Sequence, residues 1–265
     1  MPESLDMLLQ RVTMQQQHIA QARPLPGATL RSLLDDFLIR FAHDTTALEG
    51  NTLTLHETQV VLEHGITIGG KTIREHLEVT NTAVAWHALE QWVRSADPLT
   101  ETVITHLHRV TMQGILDDDA GRYRTVPVFI RGSRHVPPNP LRVPDAVADF
   151  VKRFADRPEP LHPIVFAAQA HIQLAAIHPF VDGNGRVSRL LVNGCLLRDT
   201  YPPASYPATS RAEYFTALER AQITGDNIEP FVYVTAEAVD WMQQRYLLAI
   251  RQTLDPGRSR SGPQR

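Results

Sequence analysis

The sequence has little of several features that would point to a particular class of protein. Its 265 residues include one cysteine, Cys195, which excludes an intramolecular disulfide framework and a zinc site built on several cysteines. A formal net charge of −3 excludes a domain-wide basic surface for nucleic acid. The N-terminal residues lack the apolar core of a signal peptide. We therefore expect a cytoplasmic protein in which Cys195, among Leu and Val, is a core residue.

Long apolar runs are also missing. The longest stretch without Asp, Glu, Lys or Arg covers residues 160–181, and it contains three His, two Gln and three Pro. This composition favours a buried helix of a globular protein over a membrane span. We expect no membrane partner, and the charge balance does not favour nucleic acid as a partner.

Helical periodicity dominates the rest of the chain, because apolar residues recur three and four positions apart. The pattern predicts helices over residues 28–48, 56–63, 71–94, 101–116, 144–155, 163–177, 186–198, 210–224 and 229–251. Only Arg124–Val136 has the composition of strands, and its turn at Arg131–Ser133 predicts one β-hairpin. The fold class is therefore all-α with a single hairpin. Residues 252–265 are predicted to be a disordered polar tail.

The residues that carry chemistry lie in one run of twelve, HPFVDGNGRVSR, at positions 178–189. The glycines allow backbone N–H groups to form an anion nest in front of a helix N-terminus. Arg186 and Arg189, three residues apart, share a helix face and could hold several phosphates. Asp182 is placed to bind a Mg²⁺ ion that bridges phosphates, and His178 could accept a proton at neutral pH.

This run resembles the Fic-family motif HxFx(D/E)GNGRxxR at every specified position, and the resemblance extends over about residues 28–250. It implies transfer of AMP from ATP to a Ser, Thr or Tyr hydroxyl of a protein. His178 would be the general base, Asp182 the Mg²⁺ ligand and Phe180 an anchor of the loop. The phosphates would be held by Gly183, Asn184, Gly185, Arg186 and Arg189. In the family, the segment Gly121–Pro138 contains the hairpin that is called the flap.

A second motif adds regulation. Residues 45–51, TTALEGN, resemble the family's inhibitory motif (S/T)xxxE(G/N) in its N-terminal form. The resemblance implies that Glu49 pairs with Arg189 and holds ATP in an unreactive pose. Residues 1–100 would then be an N-terminal helical region with the inhibitory motif, packed on a catalytic core at 101–251, in one compact domain.

Less specific positions complete the site. Family members place an aromatic pair after the motif, here Tyr214 and Phe215, where adenine binds. Phe215, Leu218 and Gln222 share one helix face that could hold a purine by stacking and one amide contact. Val128 and Ile130 of the hairpin could clamp a target segment by strand addition.

Three alternatives remain open. Family members with the same glutamate can remove AMP from a modified protein, in which case Glu49 would activate water. Phosphate transfer from reversed ATP is disfavoured, because members with that activity replace the GNGR run and Gly185 is retained here. A nucleotide-binding regulator that catalyses no reaction is disfavoured too, because it would need neither His178 nor Asp182, and both are present. The expected partners are ATP and an unidentified target protein, which could be the chain itself, and the sequence leaves a homodimer open.

Overall fold

The computed structural model describes residues 3–155 and 161–254, and these residues form ten α-helices. The helices are α1 Leu5–Gln21, α2 Gly27–Ala47, α3 Leu55–His64, α4 Ile73–Ser95, α5 Glu101–Met112, α6 Val143–Ala155, α7 Pro163–Ile177, α8 Asn184–Arg198, α9 Arg211–Thr224 and α10 Glu229–Leu254. Two short 3₁₀ turns, Pro140–Arg142 and Ala208–Ser210, precede α6 and α9. Within the described ranges, no helix is long and apolar enough to cross a bilayer.

Helix α8 lies at the centre of the fold. Twelve of its 15 residues are buried, and it packs against α7, α4 and α5. Its buried residues include apolar and small ones and also the polar side chains of Arg186, Arg189 and Asn193. At Gly194, an added Cβ would lie 2.5 Å from the ring of Trp92, so glycine permits the close approach of α4 to α8. The first turn of α8, which carries the phosphate-binding candidates, is therefore fixed by the core.

The N-terminal helices have local start signals that match the sequence. Thr54 caps α3 and Thr72 caps α4, and each forms a reciprocal capping box with a glutamate three residues later, Glu57 and Glu75. A capping box satisfies two otherwise unpaired backbone donors at a helix start. Helix α2 packs against α4 and α8, so the segment after its last residue, Ala47, reaches the first turns of α8.

The all-α fold predicted from periodicity is confirmed, with three differences in the helices. Helix α1, which packs against α10, was not predicted. Helix α5 ends at Met112 instead of residue 116. Helix α10 continues to Leu254, so the first three residues of the predicted disordered tail are helical; residues 255–265 lie outside the described part of the chain.

The predicted β-hairpin at Arg124–Val136 is wrong as a pair of strands, because the described residues contain no strand. The segment is an irregular loop with one tight turn, in which the Ser133 N–H donates to the Ile130 carbonyl at 3.1 Å. Pro127 within the segment and Pro137 after it lack the N–H that a strand ladder requires. Side-chain hydrogen bonds of Arg124 and Glu219 hold the segment in place instead. We keep the name flap for residues 124–136.

Candidate active site

His178 follows the last residue of α7 and has a left-handed backbone conformation, with φ 50° and ψ 60°. Its Nδ1 lies 3.3 Å from the carbonyl oxygen of Ala175. A neutral imidazole that donates from Nδ1 presents Nε2 as an acceptor. Burial lowers the pKa of His178 to about 4, and the positive charge of Arg124 acts in the same direction. The side chain is therefore neutral at pH 7 and can accept a proton.

The loop between α7 and α8 is held from inside by Phe180 and Asn184. Phe180 is fully buried. The Asn184 side chain accepts from the Phe180 N–H and donates to the Phe180 carbonyl, both at 2.9 Å. The resemblance implied that Asn184 holds a phosphate, but its side chain is 3% exposed and both its oxygen and its nitrogen are hydrogen-bonded to Phe180. Only its backbone amide remains for a phosphate.

His108 on α5 supports the same loop, and the sequence analysis missed it. Its ring stacks on Phe180 with centroids 3.7 Å apart. The Gly121 N–H donates to Nδ1 at 2.8 Å, so Nε2 carries the proton and donates to the Asp182 carbonyl at 2.9 Å. Burial lowers the pKa of His108 to about 4, which keeps this tautomer neutral. The histidine connects the segment before the flap to the loop in front of α8.

The N-terminus of α8 is open. Gly183 precedes the helix with φ 80°, and an added Cβ would lie 2.8 Å from the Met112 sulfur, so the position needs glycine in both conformation and space. No side chain caps the helix. The amides of Asn184, Gly185 and Arg186 therefore have no acceptor within the helix and point toward the loop. Such amides, together with the helix dipole, form an anion-binding site.

Asp182 lies next to this nest and is already paired. One carboxylate oxygen accepts from the Gly183 N–H at 2.6 Å and lies 3.5 Å from Arg186, and the other accepts from Arg74 of α4 at 2.7 Å. Burial raises the pKa of Asp182, but the charge of Arg186 and the Gly183 bond outweigh it, so the pKa is lowered. The ion pair with Arg74 was not foreseen from the sequence. The carboxylate is ionised and partly exposed.

Arg186 is a buried cation with unused donors. It is 1% exposed, its Nη2 donates to the Met112 sulfur at 3.3 Å, and its Nη1 lies 3.9 Å from a carboxylate oxygen of Glu78. Among the described residues, its Nε and Nη1 have no hydrogen-bond acceptor. Buried hydrogen-bond donors normally have an acceptor, and hydrogen bonds from a charged donor are stronger than those from a neutral one. The guanidinium is therefore suited to an anionic ligand at the start of α8.

Arg189 is held on all sides, and one of its partners is Glu49. Its Nη2 donates to the Glu49 carboxylate at 2.5 Å and to the Thr45 carbonyl at 2.9 Å, and its Nε donates to the Thr45 hydroxyl at 2.6 Å. Its Nη1 donates to the hydroxyl of Tyr214 at 3.2 Å. Arg189 is 1% exposed, and the Glu49 side chain is 35% exposed. The structure thus contains an ion pair between the two residues that the resemblance implied would pair.

Glu49 also contacts the first turn of α8. A Cβ added at Gly185 would collide with the Glu49 carboxylate and with Arg189. Glycine at this position therefore leaves the space that the carboxylate occupies. The negative charge of Glu49 acts on His178 as well, in the direction that raises its pKa. One carboxylate from the N-terminal region thus lies among the nest, the second arginine and the base.

The adenine candidates lie on α9, and Tyr214 differs from the sequence interpretation. Tyr214 is fully buried and contacts His171 and Arg189 instead of facing a ligand. Phe215 is half-buried, with Arg211 4.8 Å from its ring, while Leu218 is buried and Gln222 half-buried.

The flap lies against the same helix. Glu219 of α9 accepts from the Arg134 N–H at 2.6 Å. Val128 and Ile130, the candidates for target binding, are half-buried. Phe129 between them is 86% exposed and was not singled out by the sequence analysis.

No group of three or more His, Cys, Asp or Glu side chains in the described ranges could hold a metal ion by itself. Asp182 is therefore a single carboxylate ligand whose remaining partners would come from a bound molecule and water. This donor set fits Mg²⁺, which proteins usually bind through one or two carboxylates and the phosphates of a substrate.

Comparison with known proteins places this site in a family. A profile of the Fic/DOC family matches residues 98–196. The chain is 36% identical over 232 residues to the protein adenylyltransferase fic-1 of Caenorhabditis elegans. The aligned region covers 86% of this chain and 45% of that protein. This chain therefore spans less than half the length of that curated relative.

Solved structures agree on the fold. A C. elegans Fic-1 fragment superposes with a TM-score of 0.85 at 32% identity, over 94% of this chain and 73% of the fragment. A Fic-domain signalling protein from Bacteroides thetaiotaomicron superposes with a TM-score of 0.80 at 27% identity, over 92% of this chain and 97% of that one.

Proposed function

Because the chain belongs to the Fic/DOC family, we propose that it is a protein adenylyltransferase, which transfers AMP from ATP to a Ser, Thr or Tyr hydroxyl of a target protein. The observation that carries the proposal is the pair of unsatisfied Arg186 nitrogens beside the open N-terminus of α8. Buried cationic donors and free amides at one place are complementary to a polyphosphate. A neutral imidazole, His178, lies at the other end of the same loop.

In this reaction the target hydroxyl oxygen forms a bond to the α-phosphorus, and the bond from that phosphorus to the bridging oxygen breaks. Pyrophosphate leaves, and the hydroxyl proton goes to His178 Nε2. The amides of Asn184, Gly185 and Arg186 hold the α-phosphate, and the guanidinium groups of Arg186 and Arg189 hold the outer phosphates. Such transfer depends mainly on positioning and on neutralising charge.

Asp182 would hold Mg²⁺, which neutralises phosphate charge when it is bound. The carboxylate is ionised because Arg186 and Gly183 lower its pKa. Arg74 would have to release one carboxylate oxygen to admit the ion, because it donates to that oxygen at 2.7 Å.

Residues 1–100 form the regulatory part of the molecule in this proposal, and residues 101–251 form the catalytic core. Glu49 withholds the Arg189 guanidinium, and its carboxylate lies beside Gly185 in the first turn of α8. ATP would bind without its outer phosphate on Arg189, so its α-phosphorus would not face the hydroxyl. The remaining partners of Arg189, Thr45 and Tyr214, keep the guanidinium in place once Glu49 leaves.

Removal of AMP from a modified protein is the second candidate. The Glu49 carboxylate is partly exposed and acts electrostatically on His178. A carboxylate at that position could orient a water molecule toward a phosphodiester. In that case Glu49→Gly would abolish AMP release from a modified protein and would give no gain in transfer.

The test is incubation of the protein with ATP labelled on the α-phosphate. Glu49→Gly is expected to raise label transfer by about 10- to 100-fold over wild type, because the loss of a charge-assisted bond of about 1.5–3 kcal/mol frees the guanidinium. Glu63→Gly is the matched control, because Glu63 is an exposed glutamate in the last turn of α3. Equal labelling of wild type and Glu49→Gly would show that Glu49 is no brake. No label transfer from either protein would contradict the activity itself.

A further inference from the structure

Arg124, at the start of the flap, is a buried arginine whose guanidinium, among the residues that the structure describes, bonds only to backbone carbonyls. It is 3% exposed. Its Nε donates to the His178 carbonyl at 2.8 Å, its Nη2 to the Pro138 carbonyl at 2.6 Å and its Nη1 to the Val126 carbonyl at 3.3 Å. No carboxylate pairs with it within the described ranges. A buried charge without a counter-ion is unfavourable, and burial lowers the pKa of Arg124 accordingly.

The first of these bonds acts on a strained residue. His178 has a positive φ although it is not glycine, and such a conformation persists only where the surroundings enforce it. The Arg124 side chain binds the carbonyl of His178, and the Arg124 N–H donates to the carbonyl of Pro179 at 2.9 Å. Arg124 therefore fixes two successive carbonyl groups at the end of α7, and with them the direction in which the imidazole leaves the backbone.

The other two bonds act on the flap. Val126 lies near the start of the flap and Pro138 two residues after its end, and Arg124 joins their carbonyls through one planar group. The prolines around this loop lack the N–H groups of a strand ladder. The two ends of the loop are held together by side-chain hydrogen bonds instead. The base of the flap and the candidate base of the reaction are thus attached to the same guanidinium.

We propose that Arg124 is a positioning residue, which orients His178 for proton transfer and fixes the base of the flap relative to it. The proposal rests on the proposed function, because it takes His178 as the general base. Arg124 does not contact the residues that we propose to bind ATP, Asn184 to Arg189. Its loss should therefore lower the rate of transfer and leave ATP binding intact. A lysine cannot replace it, because an ammonium group on one flexible stem cannot reproduce the planar fork that spans three carbonyls.

The experiment uses the full chain with Glu49→Gly as the parent, and compares Arg124→Lys and Arg124→Ala with Arg122→Ala. Arg122 is an exposed arginine two residues away, whose side chain forms no ion pair within the described ranges. Single-turnover transfer is expected to fall by about 10- to 100-fold in both Arg124 variants, a typical effect of misplacing a catalytic group. ATP affinity should match the parent, and the variants should still unfold in one cooperative transition, at lower stability because three buried hydrogen bonds are lost. Millimolar guanidinium should restore part of the rate in Arg124→Ala.

NMR titration of His178 adds a readout that a general loss of stability would not produce. The groups that act on His178 are Arg124, Glu49 and His135. Because Glu49 is absent from the parent, the titration is also run with wild-type Glu49. Removing the positive charge in Arg124→Ala should raise the pKa of His178 above its value of about 4, whereas Arg124→Lys keeps the charge and should leave it low. If Arg124→Lys transfers AMP slowly while the pKa of His178 is unchanged, the loss of rate comes from the orientation of His178 and not from a change of charge.

Three results would overturn the proposal. Transfer at the parental rate by a folded Arg124→Lys or Arg124→Ala is one. A loss of rate that accompanies equal losses of ATP binding and of stability, without rescue by guanidinium, is the second. An unchanged pKa of His178 in Arg124→Ala is the third. Absence of transfer in the parent would instead contradict the proposed function, and the titration would still test whether Arg124 acts on His178.

Discussion

Tyr214→Phe should destabilise the protein far more than Tyr123→Phe, although both changes remove one hydroxyl. The Tyr214 hydroxyl is fully buried, accepts from Arg189 at 3.2 Å and donates to His171 at 2.7 Å. The Tyr123 hydroxyl makes one bond, to Glu101 at 3.0 Å, in a half-buried place. The two variants therefore differ in the number of buried groups that lose a partner.

The magnitude follows from those partners. A hydrogen bond to a charged group contributes about 1.5–3 kcal/mol, and a neutral one about 1 kcal/mol, with a further penalty for a buried group left unsatisfied. Tyr214→Phe should therefore cost about 2.5–4 kcal/mol. Tyr123→Phe also removes a bond to a charged group, but its partner Glu101 is half-buried and can bind water instead, so we expect a smaller cost of about 0.5–1.5 kcal/mol. At 2–4 °C per kcal/mol for a chain of this size, the melting temperature should fall by roughly 5–15 °C in Tyr214→Phe.

Thermal and urea unfolding of the two variants and wild type provide the measurement. The m-value should stay constant, because the change alters no large surface. A Tyr214→Phe protein as stable as wild type, or no less stable than Tyr123→Phe, would refute the interpretation that this hydroxyl joins Arg189 to the core. It would return Tyr214 to the role of an adenine-binding residue that the sequence analysis considered.

Three further predictions concern the charged groups of the site. In the Glu49→Gly background, Arg189→Ala should return AMP transfer to about the wild-type level or below, because the freed guanidinium is what raises the rate; undiminished labelling would contradict this. Asp182→Ala should abolish Mg²⁺-dependent transfer, and activity that persists in the variant or with a chelator would remove Asp182 from the metal site. His108 and His178 each have a pKa of about 4 in the folded protein against an ordinary 6.5. As the pH falls, both are therefore protonated in the unfolded chain before they are protonated in the folded one. Their contribution to stability is complete above pH 6.5 and is lost as the pH falls toward 4, by about 3 kcal/mol each. Urea unfolding at pH 7 and pH 4.5 measures this loss, which should shrink by about half in His108→Gln if the variant folds; a pH-independent wild-type stability would contradict it.

The sequence predicted most of the helices and the residues of the motif, because both are local signals. Apolar spacing sets each helix face, and the run from His178 to Arg189 lies on one loop and the first two turns of α8. The Glu49–Arg189 pair was predicted only through the resemblance, since nothing local joins residues 140 positions apart. Helix α1 was missed, although Ser4 and the apolar positions Leu8, Val12 and Ile19 are its signal.

Other contacts could not be read from the sequence, because they join distant elements through single polar groups. His108 supports Asp182 from α5, Arg74 pairs with Asp182 from α4, and Arg124 binds the backbone of His178. Periodicity places a residue on a helix face but does not identify its partner. The β-hairpin was predicted from β-branched and aromatic residues, and the prolines around it decided the outcome.

Intact-mass measurement after incubation with Mg²⁺ and ATP shows whether the protein transfers AMP and whether Glu49 restrains that transfer. The proteins to compare are wild type, Glu49→Gly and the double variant Glu49→Gly, His178→Ala. We expect an AMP adduct on Glu49→Gly, little adduct on wild type and a loss of about 10²-fold or more in the double variant, because the base is missing. An adduct of equal size on wild type and Glu49→Gly would show that Glu49 does not inhibit transfer, and an adduct that survives the loss of His178 would show that His178 is not the base.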